Sequence, residues 1–438
     1  MIVSCLDGRR LVTAPTPGAS NRRSRLGVED HESTRSDGSG LSPGWTGRSS
    51  LEIRAMTAAL TNRIRELHHL DMGQVQARIP WDVEATRRVD LRRIDSHPDH
   101  WYPMAWSEEV RPGKMLSRRF AGEPVAIVRG EDGALFALED RCAHRQVPLT
   151  HGVVKGCTVK CGYHGWAYDA DGHCIDVPYL GGKHLPNGVK AYPCREVDGL
   201  IFIFPGDPAM ADERMPTALG AKSDKSYKTR QLNRQVAAHY TFMHENLFDM
   251  NHQFLHRKQM GSIKAHCLGR RHGDNWAEVD YTFSRHEGSS TVGEAAILGV
   301  VRKRGEGDNA DLMTIRTEYP HQRLRVWVGD GEPVLNVWLG YTPLDKAQRT
   351  NRTFGYLSVK RPKIPGVIEA AWPFITMFTE KIFNEDKQIV EMEQAAHDGQ
   401  GGDWNNEVFP PVRDLREVLA RCGAPGRDQA ASSLVADT

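Results

Sequence analysis

Two short segments constrain this chain more than any other feature: Cys142-Ala143-His144 and, after sixteen intervening residues, Cys161-Gly162-Tyr163-His164. Each offers one thiol and one imidazole, so a fold that uses all four must bring two loops side by side. The neighbouring sequence supplies the means. Val125–Val128 and Ala134–Leu138 flank Asp132-Gly133, Trp166–Tyr168 and His173–Val177 flank Asp171-Gly172, and Arg195–Val197 and Leu200–Phe204 flank Asp198-Gly199. Asp-Gly tolerates the positive φ of type I′ hairpin turns, and the flanking runs are β-rich. Roughly residues 96–210 are therefore expected to form a small antiparallel β domain, ended by the breaker Pro205-Gly206-Asp207-Pro208.

Two thiolates and two neutral imidazoles suit a [2Fe–2S] cluster with both cysteines on one iron and both histidines on the other. Replacing two thiolates by imidazoles removes negative charge and raises the reduction potential. A zinc site is the competing reading, but zinc fingers usually group Cys with Cys and His with His, whereas each loop here supplies one of each. Cys157 is read as a small buried hydrophobe, and His151, His173, Cys174 and Cys194 as structural. Eight cysteines in 438 residues are too few for a disulfide scaffold.

Residues 211–425 have a mixed texture. A helical stretch is expected over His239–His256, then strands near Ala277–Phe283, Leu312–Tyr319, Leu324–Val328, Leu335–Tyr341 and Thr353–Val359. A longer helix, about Ile368–His397 and interrupted near Pro373, precedes a short one over Val412–Arg421. Strands framed by helices suggest an antiparallel sheet with helices packed on it, so the fold class is α+β. On an ideal helix at ~100° per residue, Asp249, His252 and His256 fall within about 60° of one another, with Asn246 on the flank. Two imidazoles one turn apart can clamp a metal, although satisfied structural histidines are the alternative. A zincin H-E-x-x-H is excluded, because after His244-Glu245 the second His would fall at Phe248.

The N-terminal 1–55, with no Phe or Tyr and many Gly, Ser, Pro and Arg, is expected to be a disordered leader. Residues 56–95 read as a helical lead-in carrying Leu60, Ile64, Leu67 and Leu70, and 426–438 as a flexible tail. Lys+Arg 57 against Asp+Glu 56 leaves a net charge of +1, which argues against a nucleic-acid binder. No stretch approaches the ~18 apolar residues of a membrane span, and no apolar signal core follows Met1, so a cytoplasmic location is expected.

These motifs together resemble the α subunit of Rieske non-haem iron oxygenases. The resemblance rests on Asp140-Arg141-Cys142-Ala143-His144-Arg145, on Gly165-Trp166-Ala167-Tyr168-Asp169, and on the N-x-x-D-x-x-H-x3–4-H pattern met by Asn246, Asp249, His252 and His256. It spans about residues 96–425. The three-residue His spacing is similar to the carbazole-dioxygenase branch. Trp101-Tyr102-Pro103-Met104-Ala105-Trp106 and the cluster motif look more like the phthalate, vanillate and dicamba monooxygenase group.

The resemblance implies a Rieske domain followed by a helix-grip type sheet. It implies a [2Fe–2S] cluster on Cys142, His144, Cys161 and His164, and a mononuclear Fe(II) on His252, His256 and a carboxylate in Phe383-Asn384-Glu385-Asp386-Lys387. Asp386 is the first choice and Glu385 the second. Periodicity leaves both open, since Phe378, Ile382, Ile389 and Met392 share a stripe with Glu385, and Phe383 and Val390 share one with Asp386. The resemblance further casts Asp249 as a bridge from His164 of one subunit to His252 of its neighbour, within a head-to-tail trimer. The implied reaction is O2-dependent hydroxylation or oxidative demethylation of an aromatic or alicyclic molecule, with cis-dihydroxylation as the alternative. No G-x-G-x-x-G fingerprint follows a strand, so electrons from NAD(P)H are expected through a separate reductase, with or without a ferredoxin. A Rieske electron carrier and a non-catalytic binding protein are the readings from other classes.

Overall fold

A computed structural model of the chain describes residues 89–425, apart from 179, 181–184, 186–187, 217–223, 288, 300–310 and 330. The leader, nearly all of the helical lead-in and the tail expected from the sequence lie outside the described residues.

The first half is built from short strands: β1 (Ile94–Asp95), β2 (Tyr102–Trp106), β3 (Lys114–Phe120), β4 (Glu123–Arg129), β5 (Leu135–Glu139), β6 (Val153–Lys155), β7 (Thr158–Lys160), β8 (Ala167–Tyr168), β9 (Cys174–Asp176), β10 (Ala191–Tyr192), β11 (Cys194–Val197) and β12 (Leu200–Ile203). Apart from β1, they pair antiparallel in the orders β10-β5-β4-β3, β11-β12-β2 and β6-β7-β8-β9. The Asp-Gly signals place the hairpins but not all of their turn types. Asp198 and Gly199 both have positive φ, 51° and 79°, as a type I′ turn needs. At the other two sites only Gly133 and Gly172 do, within longer loops. A further tight turn, between β3 and β4, falls at Ala121-Gly122, with φ 47° and 87°. Its N–H groups donate to Pro343 O at 2.8 Å and Leu344 O at 3.0 Å. A Cβ on Gly122 would lie 3.0 Å from Lys346 N, so this turn seats against the second half only as glycine.

The second half carries β13 (Tyr227–Val236), α1 (Tyr240–Phe248), α2 (Arg257–Met260), β14 (Ser262–His272), β15 (Trp276–Glu287), α3 (Val292–Leu298), β16 (Asp311–Glu318), β17 (His321–Val328), β18 (Leu335–Pro343), β19 (Asn351–Lys360), α4 (Val367–Gln400) and α5 (Pro410–Cys422). The strands form one antiparallel sheet in the order β13-β19-β18-β17-β16-β15-β14, and a last strand, β20 (Ala424–Pro425), returns to pair with β1. Five of the seven sheet strands match expected runs. The two edge strands do not: β13 buries only Leu232 and Val236 fully, and β14 buries no residue fully, so neither carries a legible apolar alternation.

Alternation along β18 turns Val337 and Leu339 to one face and Trp338 to the other. The first face joins Ile315, Leu324, Val326 and Leu357 in a core shared with α1, α4 and α5. On the second face, Trp338, Phe354 and Tyr356 pack against Trp101, Trp106, Leu200 and Phe202 of the β domain. The sheet therefore stands between the β domain and the helices of its own chain.

Two helices differ from expectation. The stretch His239–His256 is not one α-helix. It breaks at Asp249, whose φ −90° and ψ 92° are extended, and resumes as a 3-10 turn over Met250–Phe254. The Asp249 carboxylate caps that turn by accepting from Asn251 N at 2.9 Å, the competition by which Asp ends helices. The late helix runs unbroken through Pro373. The proline sits in its second turn, where a single lost donor is outweighed by the packing of the remaining turns.

Candidate metal centres

The two Cys/His loops have the same backbone plan. Cys142 N–H donates to Val147 O and Cys161 N–H to Trp166 O, each five residues on, at 2.9 and 2.8 Å. Gln146 N–H returns to Cys142 O and Gly165 N–H to Cys161 O. Each loop closes through a residue at positive φ four positions after its cysteine, Gln146 at 61° and Gly165 at 75°. This places both thiols inside, 3% and 4% exposed, and leaves both imidazoles at the surface. The ring centroids of His144 and His164 are 4.5 Å apart, and His144 stacks on Trp166. Burial raises the pKa of the Cys161 thiol, and the adjacent Cys142 adds to the effect. Tyr168 Oη lies 3.1 Å from Cys142 Sγ and accepts from Ala143 N–H at 3.1 Å. Two buried soft donors with two exposed imidazoles fit a [2Fe–2S] group whose histidine-bound iron faces solvent.

The second constellation lies on the helix side of the large sheet. His252 sits in the 3-10 turn, His256 just before α2, and Asp386 midway along α4. The arc of one helix is thus not what gathers them; the broken helix and the distant α4 do. Asp386 Oδ1 lies 3.1 Å from His256 Nε2 and 3.6 Å from His252 Nε2, and one ligand atom from each residue falls within 4.8 Å of the others. The far side of each ring is held. His252 Nδ1 lies 2.6 Å from Asp249 O, a carbonyl that can only accept, so Nδ1 carries the proton. His256 Nδ1–H donates to Glu385 Oε2 at 2.8 Å, and Gln259 Nε2–H donates to the other oxygen of that carboxylate at 2.8 Å. Both Nε2 atoms therefore direct lone pairs inward. His256 Nε2 and Asp386 Oδ1 are buried without a hydrogen-bond partner. Two imidazoles and one carboxylate on one side of a pocket are a donor set that fits Fe(II). Burial alone would lower the pKa of His256, but Asp386 and Glu385 outweigh it and raise it.

Of the two candidate carboxylates, Asp386 thus faces the ligand cluster and Glu385 lies behind His256. The backbone carbonyl of Asp249, rather than its carboxylate, meets His252 within this chain; the carboxylate holds Asn251. Asn246 lines a cleft of about 520 Å3 with Asp249 and His252, and also a small cavity shared with Asp386. Gln259, Tyr168 and the orienting position of Glu385 escaped the sequence reading. Tyr168 stands within the quoted motif, but no pattern marks the other two roles.

A largely apolar cavity of about 210 Å3 opens beside the triad, lined by Leu247, Ile297, Leu324, Val337, Phe378 and Phe383 among others. A larger cleft of about 830 Å3 lies on the opposite side of the sheet, around Arg323, Arg325 and Trp338. It touches neither constellation, and the site is assigned by its ligand atoms rather than by volume.

The fold and its two centres define a protein with an electron-carrying cluster in a β domain and a mononuclear iron site under a large sheet. The profile of the Rieske [2Fe-2S] domain matches residues 100–193, and that of the vanillate O-demethylase oxygenase C-terminal domain matches residues 236–415. The chain is 30% identical over 351 residues to the 4beta-methylsterol monooxygenase of Methylococcus capsulatus, covering 76% of this chain and 90% of that one. It is 31% identical to the terminal oxygenase component of carbazole 1,9a-dioxygenase from Sphingomonas, over 73% of this chain and 89% of the relative. The crystal structure of dicamba monooxygenase bound to dicamba superposes with a TM-score of 0.60 at 24% identity, over 77% of this chain and 99% of that one. The chain belongs to the Rieske non-haem iron oxygenases. It is an oxygenase that carries a Rieske [2Fe–2S] cluster and a mononuclear iron. Among the described residues no helix is long and apolar enough to cross a membrane.

Proposed function

We propose that this oxygenase hydroxylates or oxidatively demethylates a ring compound at the cavity beside His252, His256 and Asp386, and that residues 96–210 and 211–425 divide the work. The observation that carries the reading is the triad of inward lone pairs beside an apolar cavity. Cys142, His144, Cys161 and His164 would hold the cluster; His252, His256 and Asp386 would hold the iron. When bound, the cluster carries single electrons and the iron activates O2. The protein's own residues do the rest. Glu385 and the Asp249 carbonyl lock both rings in the tautomer that exposes Nε2. The apolar lining admits the ring compound and keeps water away.

Electron delivery is assigned to a second copy of the chain. The sheet stands between a subunit's own β domain and its own triad. The cleft at Asn246, Asp249 and His252 is open to the surface. Large apolar side chains stand uncovered beside both parts, Tyr163 next to His164 at 57% exposure and Phe254 at 72%. In a head-to-tail trimer, His164 of one copy would enter the cleft of the next, where the Asp249 carboxylate, now holding Asn251, accepts its N–H. Electrons from NAD(P)H would arrive through a separate reductase, with or without a ferredoxin.

Product analysis under 18O2 tests the chemistry: one labelled atom is expected, in the ring product after hydroxylation or in the released formaldehyde after demethylation, whereas two on adjacent carbons of the ring would make the enzyme a cis-dihydroxylating one, the reading favoured by its carbazole-dioxygenase relative. Mixed oligomers test the route. Asp249→Asn and His164→Ala chains, each nearly inactive, should recover activity when co-assembled, because some interfaces then pair an intact cluster with an intact bridge. Full turnover by a monomeric preparation would rule this route out.

A further inference from the structure

The described lining of the cavity beside the triad bears on charge as well as on shape. Among the described residues that line the cavity, Arg285 is the one Lys or Arg, and both of its terminal nitrogens are engaged, Nε alone being without a partner. Its guanidinium pairs with Glu294, the two side chains being 5% and 7% exposed, and it donates to Met260 O at 2.6 Å. Among the described lining residues, then, the one guanidinium that could meet a substrate carboxylate or sulfonate already has its charge offset by Glu294.

Gln253 presents the opposite case. It follows His252 in the 3-10 turn, lines the same cavity and is 7% exposed, yet neither Nε2 nor Oε1 has a hydrogen-bond partner. A primary amide can donate twice and accept twice, so its burial without partners is unfavourable unless something that enters the cavity supplies them. Its neighbours in the lining, such as Met250, Met260 and Leu247, supply none. Among the described lining residues, the amide is the uncharged polar side chain with neither its donor nor its acceptor committed.

From these observations we infer that the substrate is an uncharged, mostly apolar ring compound bearing a hydroxyl or carbonyl oxygen, and that Gln253 is the residue that receives this oxygen. The inference rests on the proposed reading of this cavity as the substrate chamber. The amide fixes which end of the molecule lies beside the triad, while the apolar wall accepts the rest. Ring acids are disfavoured, because among the described lining residues Arg285 is the one Lys or Arg and Glu294 neutralises it.

The test uses the full-length holoenzyme, oxidised and without O2, so that binding is read without turnover. Three probes share one skeleton: tetralin, the alcohol tetralol, and the corresponding ring carboxylate. Calorimetry should give tetralol about tenfold tighter binding than tetralin, the worth of one hydrogen bond, and no measurable binding of the carboxylate. In Gln253→Leu, tetralol should fall to the affinity of tetralin, tetralin should bind as before, and the melting temperature should hold or rise. The inference is overturned if the carboxylate binds as tightly as tetralol, or if wild-type protein does not prefer the alcohol. It is also overturned if the substitution weakens tetralin and tetralol equally. The wild-type ratio decides the matter even if the variant does not fold. Iron content and the Rieske EPR signal of the same preparations separate the two readings. Loss of either centre counts against the proposed function, and intact centres without alcohol preference count against Gln253.

Discussion

The cluster loops and the iron triad are both proposed metal centres made of side chains from separate segments, yet they are built in contrasting ways. The cluster loops lie close in sequence, repeat one hydrogen-bond plan and leave their imidazoles exposed. The triad draws on a broken helix and on α4, 130 residues after His256, and is largely buried, with His256 2% exposed. A centre that hands electrons to another molecule must reach the surface. A centre that handles O2 and a ring compound must exclude water. The first can be shaped by local turns, whereas the second needs packing from several elements to hold its ligands.

The largest effects should come from removing ligands, and they should stay on one side of this contrast. Cys142→Ala is expected to abolish the Rieske EPR signal and turnover while the mononuclear iron stays bound. His256→Ala should remove the mononuclear iron and leave the Rieske signal. Metal analysis with EPR reads both, and loss of both centres from either change would mean that the sites are not built independently.

Next in size is the distinction between adjacent carboxylates on α4. Asp386→Ala should lose the iron outright. Glu385→Ala frees His256 Nδ1 and Gln259 and should weaken iron binding by about 10–100-fold without eliminating it. Equilibrium titration of iron into the stripped variants measures the difference, and the reverse order would exchange the two roles.

A smaller effect is expected at the cluster. Tyr168→Phe removes a hydroxyl beside Cys142 Sγ. Because hydrogen bonds to cluster sulfurs raise the potential, it should fall by roughly tens of millivolts in an EPR-monitored redox titration. An unchanged potential would show that the hydroxyl does not donate to sulfur.

The smallest concerns pH. The folded-state pKa of His256 is raised above the ordinary value of 6.5 by Asp386 and Glu385, against the opposing effect of burial. In iron-free protein the stabilisation from the protonated ring is complete below the unfolded value and is lost as pH rises through the raised folded value. Iron needs the neutral ring. The Tm gap between iron-loaded and iron-free protein should therefore widen as pH rises through this window and narrow as it falls. A gap independent of pH would show that proton and metal do not compete at Nε2.

What the sequence by itself determined follows from short-range physics. The proximity of the loops carrying Cys142, His144, Cys161 and His164 was legible because ligand chemistry, turn residues and apolar runs all lie within about thirty residues, where local conformation dominates. The inner sheet strands were legible for the same reason, through their alternation. The pairing of His252 with His256 was legible as a motif, but not its geometry: a helical arc assumes an unbroken helix, and the Asp249 side chain ends that helix by binding Asn251. Only the tertiary structure could divide Glu385 from Asp386. Neighbours on a helix differ by about 100° in direction, and which direction faces the ligand cluster depends on how α4 lies across elements more than a hundred residues away. The same holds for the edge strands β13 and β14 and for the buried amide of Gln253. Their surroundings are supplied by distant segments, and no local pattern in the chain records what those segments will bring.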